Sequence, residues 1–194
     1  MRQETAASFA RCRFAARARR VRPTRLLIAI AIALGAARVA RAEEQSTTEV
    51  EARFVLQLVR YVTWPESVLP PDSPLVVGVV GDDAFAATLR RLCAQRKAQD
   101  RAIEVRAVAD AASPGIHLLF VRGQDPSMLR DLARVHYSAP VLTVSDRFDF
   151  PRLGGDVGIE RVGDRVSFSI NRRKSVHGDL AISSKLMRLA SEVK

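Results

Sequence analysis

Two carboxylates, Asp82 and Asp83, follow the apolar run 75–80 after a single glycine, Gly81. If that run is a buried strand, both side chains stand at its carboxyl end, where open α/β sheets bind their ligands. There they could hold a divalent cation and accept a phosphoryl group. Either carboxylate also suits the N-cap of a following helix, because it can accept hydrogen bonds from the first free backbone N–H groups. We favour the helix cap.

Other residue types that carry catalysis do not stand at catalytic spacings. His117, His136 and His177 lie far apart, and the chain has neither an H-x-x-x-H nor a C-x-x-C motif. A metal site would have to be assembled by the fold alone. Ser145-Asp146 follows an apolar run, but it lacks the G-x-S-x-G context of a hydrolase nucleophile and is typical of a turn. We therefore expect a protein that is not an enzyme and that uses no metal and no cofactor.

Two groups of residues favour binding instead. Trp64, the only tryptophan, is equally consistent with a partner contact and with a core side chain. Arg172, Arg173 and Lys174 form a basic turn, and His177 follows shortly after. Their guanidinium groups could hold a carboxylate ligand or an acidic partner surface. The alternative for these residues is a solvated basic turn.

The net charge of +10 favours a nucleic-acid binder until the charges are located. Ten of the 31 basic residues and one of the 21 acidic residues lie in residues 1–42, which leaves 21 basic and 20 acidic residues in 43–194. Residues 43–194 therefore have almost no net charge and lack the excess of positive charge that binds a polyanion. We therefore expect no nucleic acid among the partners.

Residues 1–42 have the three parts of a secretory signal: an arginine-rich start, the apolar stretch Leu26–Leu34 and the small-x-small site Ala40-Arg41-Ala42. We predict cleavage after Ala42 and export from a bacterial cytoplasm to the periplasm. The apolar stretch is well short of the roughly 20 residues that cross a bilayer, so we expect no permanent anchor. The mature domain then covers 43–194, in a compartment that offers no ordinary phosphoryl donor to Asp82.

Cys93 is the only cysteine of the predicted mature domain, since Cys12 leaves with the signal. A lone thiol in an exported protein is a buried core cysteine, half of an intermolecular disulfide, or a reactive site. The core position is favoured, because Cys93 continues the helical apolar pattern of Phe85, Leu89 and Leu92.

Hydrophobic periodicity predicts alternating helices and strands in the first part of the mature chain. The opening helix begins near Thr48, with Glu51 at capping-box spacing, and ends at about Val62 because Trp64-Pro65 cannot continue it. The next predicted elements are a strand at 75–80, a helix at 83–95, strands at 103–108 and 116–121, a helix at 125–135 and a strand at 141–144. This alternation indicates a parallel sheet with helices on both faces.

The C-terminal third has a different pattern. Gly163-Asp164 separates two short alternating runs, which predicts a β-hairpin added to the sheet. Residues 183–193 carry an apolar stripe that predicts a final helix. We expect one α/β domain with a mixed, mostly parallel sheet, helices on both faces, a C-terminal β-hairpin and a final helix.

Taken in order and spacing, these segments resemble the YfiR-like family of periplasmic repressors of membrane-bound diguanylate cyclases. The resemblance covers nearly all of the mature chain. It rests on Phe54 to Pro65, Val77 to Asp82, His117 to Val121, Pro140 to Asp146, Gly154-Gly155, Phe168 to Asn171 and Leu180 to Ala190.

The resemblance implies a small α/β protein, commonly a homodimer, that binds the periplasmic domain of an inner-membrane diguanylate cyclase and represses it. Cyclic di-GMP and biofilm formation then fall, and an outer-membrane lipoprotein is the implied antagonist. One alternative is a periplasmic small-molecule-binding module that presents a ligand to a sensor kinase or transporter. A hydrolase that uses Asp82, Ser145 or His177 is a third option.

The cysteine content departs from the better-known members, whose disulfides link redox state to activity. Ile116 stands where one of them has a cysteine, and Cys93 is the counterpart of the other half of that pair. The resemblance therefore implies a different regulatory input for this chain.

Overall fold

Helices and strands alternate along most of the chain. The computed structural model describes residues 47–94, 97–109, 112–123, 125–162, 165–173 and 178–194. The helices are α1 (47–58), α2 (Asp83–Cys93), α3 (Pro126–Val135) and α4 (Ser184–Leu189), with a 3-10 helix at Phe150–Leu153. The strands are β1 (Val62–Thr63), β2 (Leu75–Val80), β3 (Lys97–Ala98), β4 (Arg101–Ala107), β5 (Leu118–Val121), β6 (Leu142–Ser145), β7 (Val157–Val162), β8 (Arg165–Ile170), β9 (Ala181–Ile182) and β10 (Glu192–Val193).

Eight of the strands in the described part of the chain form one mixed sheet, in the order β10-β8-β7-β6-β5-β2-β4-β3. Neighbouring strands from β7 to β4 in this order are parallel. Strand β8 is antiparallel to β7, β3 is antiparallel to β4, and β10 is parallel to β8. The predicted α/β domain with a mixed, mostly parallel sheet is confirmed.

Apolar residues on both faces of the central strands account for helices on both faces of the sheet. Successive side chains of a strand point to opposite sides. In β5, Leu118 and Phe120 pack in the larger core with α1 and α2, whereas Leu119 and Val121 pack in the smaller core with α3. Cys93 lies in the larger core and is 6% exposed, which confirms its predicted buried position.

Local sequence determines where α2 and α3 begin. The Asp82 carboxylate caps α2 by accepting a hydrogen bond from the Phe85 N–H at 2.8 Å. Asp125 caps α3 by accepting from the Ser127 N–H, and Pro126 follows in the first turn, where no N–H partner is needed. The helix-cap interpretation of Asp82 is thereby confirmed.

Helix α1 ends at residue 58, so the prediction that it continues to Val62 is wrong. The backbone beyond residue 58 binds distant parts of the chain. Strand β1 pairs antiparallel with β9, and the Gln99 side-chain amide donates to the carbonyls of Val59 and Val62 at 2.9 and 2.8 Å. A longer helix would use the same backbone groups for its own hydrogen bonds. The helical periodicity of the sequence gives no sign of these distant partners.

The final helix is shorter than predicted, because the last residues of the segment 183–193 form β10 instead. The Ser191 N–H donates to the Phe168 carbonyl and the Lys194 N–H donates to the Ile170 carbonyl, both at 2.9 Å. The outer edge of β8 offers these acceptors, so tertiary pairing overrides the local helical pattern.

The predicted C-terminal hairpin is confirmed by β7 and β8, which pair antiparallel from Val157 opposite Ile170 to Val162 opposite Arg165. Its predicted turn at Gly163-Asp164 lies outside the described residues, as does the predicted signal with its cleavage site. Over the described ranges, no helix is both long and apolar enough to cross a membrane.

Gly158→Ala should lower the free energy of unfolding by about 1–3 kcal/mol. A Cβ at Gly158 would lie 2.6 Å from the backbone oxygen of Phe148, and this backbone cannot rotate away. Gly123→Ala is the matched control, because its Cβ would meet only side chains: the end of Met128, which is 42% exposed and free to turn, at 2.9 Å, and Leu129 at 3.2 Å. Urea unfolding followed by circular dichroism compares the two variants, and equal midpoints would contradict this account.

Candidate functional site

The carboxyl edge of the parallel sheet holds four charged side chains, Arg122, Asp82, Asp146 and Glu51, which we call the Arg122 cluster. Asp82 follows β2, Arg122 follows β5 and Asp146 follows β6, and these three strands are adjacent. Since parallel strands end at the same edge, their following residues meet there. Arg122 Nε lies 2.7 Å from Asp82 Oδ2, and Arg122 Nη1 lies 3.2 Å from Asp146 Oδ2.

Helix α1 supplies the third carboxylate of the cluster. Arg122 Nη2 donates to Glu51 Oε2 at 2.7 Å, and Glu51 is only 8% exposed. The two residues are 71 positions apart in the chain. This contact therefore joins the first helix to the edge of the sheet.

The environment of Arg122 raises its pKa above the ordinary value. Burial by itself lowers the pKa, but the hydrogen bond with Glu51 and the charges of Asp146 and Asp82 outweigh burial. The Nε–H is not directed at the Asp82 oxygen, so this 2.7 Å contact is an ion pair rather than a hydrogen bond. The guanidinium is therefore charged at neutral pH.

Two aromatic rings lie beneath the guanidinium. The centroids of Phe85 and Phe120 are 4.1 Å apart in a stacked arrangement, and Arg122 Cζ lies 5.4 Å from the first and 5.7 Å from the second. A cation over an aromatic face is attracted by the ring quadrupole. Arg122 thus presents its polar edge to the carboxylates and its flat face to the larger core.

The Arg122 cluster occupies the edge at which ligands of open α/β sheets bind. Asp82 uses one carboxylate oxygen for the cap of α2 and the other for Arg122, so both oxygens are engaged. No group of three or more His, Cys, Asp or Glu residues with a metal-binding arrangement occurs among the described residues. Chemically, the arrangement is suited to holding α1 against the sheet.

Trp64 is buried, with 5% of its surface exposed. Its indole Nε1–H donates to the His117 carbonyl at 3.0 Å. The His117 ring continues this network: Nδ1 accepts from the Val76 N–H at 2.9 Å, so the ring proton is on Nε2, 3.0 Å from the Val68 carbonyl. Trp64 is therefore a core side chain, which was one of the two alternatives for this residue. To contact a partner, its ring would have to leave the core.

Arg172 and Arg173 are exposed and helical, and they follow β8 after Asn171. The Arg172 N–H donates to the Lys194 carbonyl at 2.8 Å, which ties this segment to the residue that follows β10. Lys174 and His177 lie outside the described residues. The two arginines follow β8, whereas the Arg122 cluster lies at the ends of β2, β5 and β6, so the predicted basic surface and the cluster are different sites.

Arg122 was not predicted as a site residue, and Glu51 was predicted only as part of a helix cap. A signal was present in the sequence, because a charged residue follows each of the apolar runs 75–80, 116–121 and 141–145. Three such residues on adjacent parallel strands must meet at one edge. The order of the strands, which shows that the runs are adjacent, is a property of the fold.

The fold and the Arg122 cluster define a small α/β domain whose sheet edge is closed by ion pairs. The chain belongs to the YfiR/HmsC-like family, whose sequence model matches residues 48–191. This membership confirms the resemblance found in the sequence. At the level of the family, it supports a periplasmic regulator of diguanylate cyclase. No curated protein matches the chain significantly.

Arg122→Met should lower the free energy of unfolding at pH 7 by about 2–4 kcal/mol, since it leaves three carboxylates facing one another. Because its pKa is raised above the ordinary value, the Arg122 guanidinium is charged at pH 7 and makes its full contribution to the stability of the wild type there.

Urea unfolding at pH 7 measures the loss. Arg122→Lys is the control that keeps the charge but loses the planar fork, and its stability should lie between those of Arg122→Met and the wild type. A loss of less than about 1 kcal/mol in Arg122→Met, as for an exposed ion pair, would contradict this account.

Iodide should quench the fluorescence of Trp64 several-fold less in the native protein than in urea, because the ring is 5% exposed. The signal is unambiguous, since the chain has one tryptophan. Trp64→Phe removes the donor to the His117 carbonyl and should cost about 1–3 kcal/mol of stability. If iodide quenches Trp64 as strongly in the native protein as in the unfolded protein, the buried position is refuted.

Proposed function

We propose that this protein is exported to the periplasm, binds the periplasmic domain of an inner-membrane diguanylate cyclase and holds that enzyme inactive. The observation that carries the proposal is the family match over residues 48–191, which covers nearly all of the predicted mature chain 43–194. Repression lowers cyclic di-GMP and so disfavours biofilm formation. The protein acts by binding and performs no catalysis of its own.

Repression by binding requires a difference in affinity between two states of the cyclase. A protein that binds both states equally shifts nothing, however tightly it binds. If the free cyclase is balanced between active and inactive forms, a preference of about 3 kcal/mol for the inactive form makes more than about 99% of the bound enzyme inactive. A surface that is rigid before binding serves this purpose, because less of the binding energy is spent on ordering it.

Arg172 and Arg173 are part of the proposed contact surface, together with Lys174 and His177. The two arginines are exposed, and the backbone at Arg172 is held by the Lys194 carbonyl. Their guanidinium groups have the geometry to bind carboxylates through two parallel hydrogen bonds. The complementary surface on the cyclase is therefore acidic.

Two further partners belong to this proposal. One is a second copy of the chain, as a homodimer. The other is an outer-membrane lipoprotein that antagonises repression by binding the protein in place of the cyclase. By mass action, each such partner shifts the fraction of repressor that is bound to the cyclase.

A groove beside α3 favours a second candidate function, a module that binds a small molecule and presents it to a sensor kinase or transporter. The groove has a volume of about 520 Å³. It is lined mostly by apolar side chains, with a few polar groups from Ser127 and Asp131. The apolar residues are Val80, Ala109, Met128, Leu132 and Val135. Its volume is in the range of small-molecule sites, and a ligand would raise the unfolding temperature of the isolated protein.

Deletion of the gene should raise cellular cyclic di-GMP, and the wild-type gene should restore the low level. Arg172→Ala/Arg173→Ala should restore it only in part, because the cyclase loses the cations that bind its acidic surface. The measurement is nucleotide extraction with quantification by mass spectrometry. The matched control is Arg130→Ala/Arg134→Ala, which removes two exposed arginines from α3.

Equal amounts of each variant in the periplasmic fraction must be shown first. If deletion leaves cyclic di-GMP unchanged under several growth conditions, the cyclase proposal fails, and thermal-shift screening for ligands tests the second candidate. If both double variants repress like the wild type, the basic turn is not part of the contact surface.

A further inference from the structure

A second groove lies between α1 and the β3–β4 hairpin, far along the chain from Arg172 and Arg173. Its volume is about 490 Å³. Three cationic side chains, Arg53, Arg60 and Lys97, form its rim, and Gln57 lies between the two arginines in sequence. The apolar part of its lining consists of Leu56, Ala98 and Ile103. We call this site the basic groove.

Two of the rim residues form a stripe on α1. Arg53 and Gln57 stand at positions i and i+4, so they share one face of the helix, and both are exposed. Arg60 is also exposed and follows two residues after the end of α1, and the exposed Lys97 belongs to β3. The groove is therefore lined by cations from three different elements, together with a few apolar side chains.

The cations of the basic groove are only partly neutralised by the protein itself. Arg53 pairs with Glu49 at 2.6 Å, but Glu49 also pairs with Arg91 at 2.7 Å, so one carboxylate serves two guanidinium groups. Hydrogen bonds from both arginines lower the pKa of Glu49. In the described part of the chain, no carboxylate pairs with Arg60 or Lys97, and the lining of the groove contains no acid.

We propose that the basic groove binds an acidic segment of a protein partner in an extended conformation. Its carboxylates would pair with Arg53, Arg60 and Lys97, which the protein itself neutralises only in part. Apolar residues between them would contact Ile103, which is only partly buried. The preference for acidic chains follows from the groove alone. The assignment of the acidic segment to the cyclase rests on the function proposed above.

The shape of the basic groove favours a chain segment over other anions. A small-molecule site buries most of its ligand, typically about 70–90%. Here the rim is open, with the Arg53 side chain 54% exposed. A membrane surface is broad and flat and would touch the rim without reaching Leu56, which is only 6% exposed. A narrow chain can bind the rim and the apolar lining at once.

Fluorescence anisotropy with the protein purified from cells tests the proposal. The probe is a fluorescein-labelled peptide of alternating glutamate and leucine residues, and a matched probe has glutamine in place of glutamate. Wild type should bind the acidic probe saturably and the glutamine probe at least about tenfold more weakly. Arg60→Glu/Lys97→Glu should weaken binding of the acidic probe at least about tenfold.

Lys185→Glu/Arg188→Glu is the matched control, because it reverses one exposed lysine and one exposed arginine on α4. It should change the affinity by less than about twofold. Gln57→Glu is a second test variant that adds a carboxylate to the stripe without removing a cation. It should weaken binding in the same direction, even if the double variant fails to fold.

The proposal is overturned if wild type binds neither probe, binds both probes equally, or loses as much affinity in the α4 control as in the groove variant. Sedimentation with phosphatidylglycerol vesicles tests the membrane alternative. If the vesicles bind wild type but not Arg60→Glu/Lys97→Glu, and the acidic peptide does not bind, the groove is a lipid-binding surface instead. The peptide titration contains no cyclase. A negative result in this titration can therefore be distinguished from a negative result in the cyclic di-GMP test.

Discussion

The Arg122 guanidinium joins helix α1 to the carboxyl ends of three neighbouring strands. It contacts carboxylates that follow β2 and β6 and a third from α1, while its flat face lies over two stacked phenylalanine rings. A carboxylate left unpaired here would be costly, because burial removes water that would otherwise solvate it. Arg122 therefore closes the carboxyl edge of the sheet and, together with the apolar packing of the buried face of α1, holds that helix in place.

This closure determines where binding can occur. Helix α1 has an inner face that carries Glu51 to the Arg122 cluster and an outer face that carries Arg53 and Gln57, and Arg60 follows shortly after its end. Because the inner face is held by an ion pair, the outer cations stand at a defined place on the surface. The proposed partner surfaces would then be built on a rigid scaffold, and rigidity reduces the entropy lost on association. The proposed repression, which needs discrimination between two states of a partner, would benefit from such a surface.

Buried polar contacts stabilise the opposite edge of the sheet. The His117 ring accepts from Val76 and faces the Val68 carbonyl, while its own carbonyl accepts from Trp64. Together these bonds attach the segment between α1 and β2 to the beginning of β5. Buried polar groups are costly when unsatisfied, so this network favours a single arrangement of that segment. Both ends of α1 are consequently fixed, one by Arg122 and the other by β1 pairing with β9.

Local interactions explain what the sequence by itself determined: the central strands from their apolar runs, the start of α2 from the Asp82 cap, the β7–β8 hairpin, the buried Cys93, and a body of nearly neutral charge. Each depends on residues within a few positions of one another or on composition alone.

Tertiary structure decided the end of α1, strands β9 and β10, the burial of Trp64, and the meeting of Arg122 with Asp146 and Glu51, which are 24 and 71 positions away. The reason is that pairing between distant segments leaves no periodic pattern in the sequence. Such contacts follow from the order of strands in the sheet, which places the ends of β2, β5 and β6 side by side.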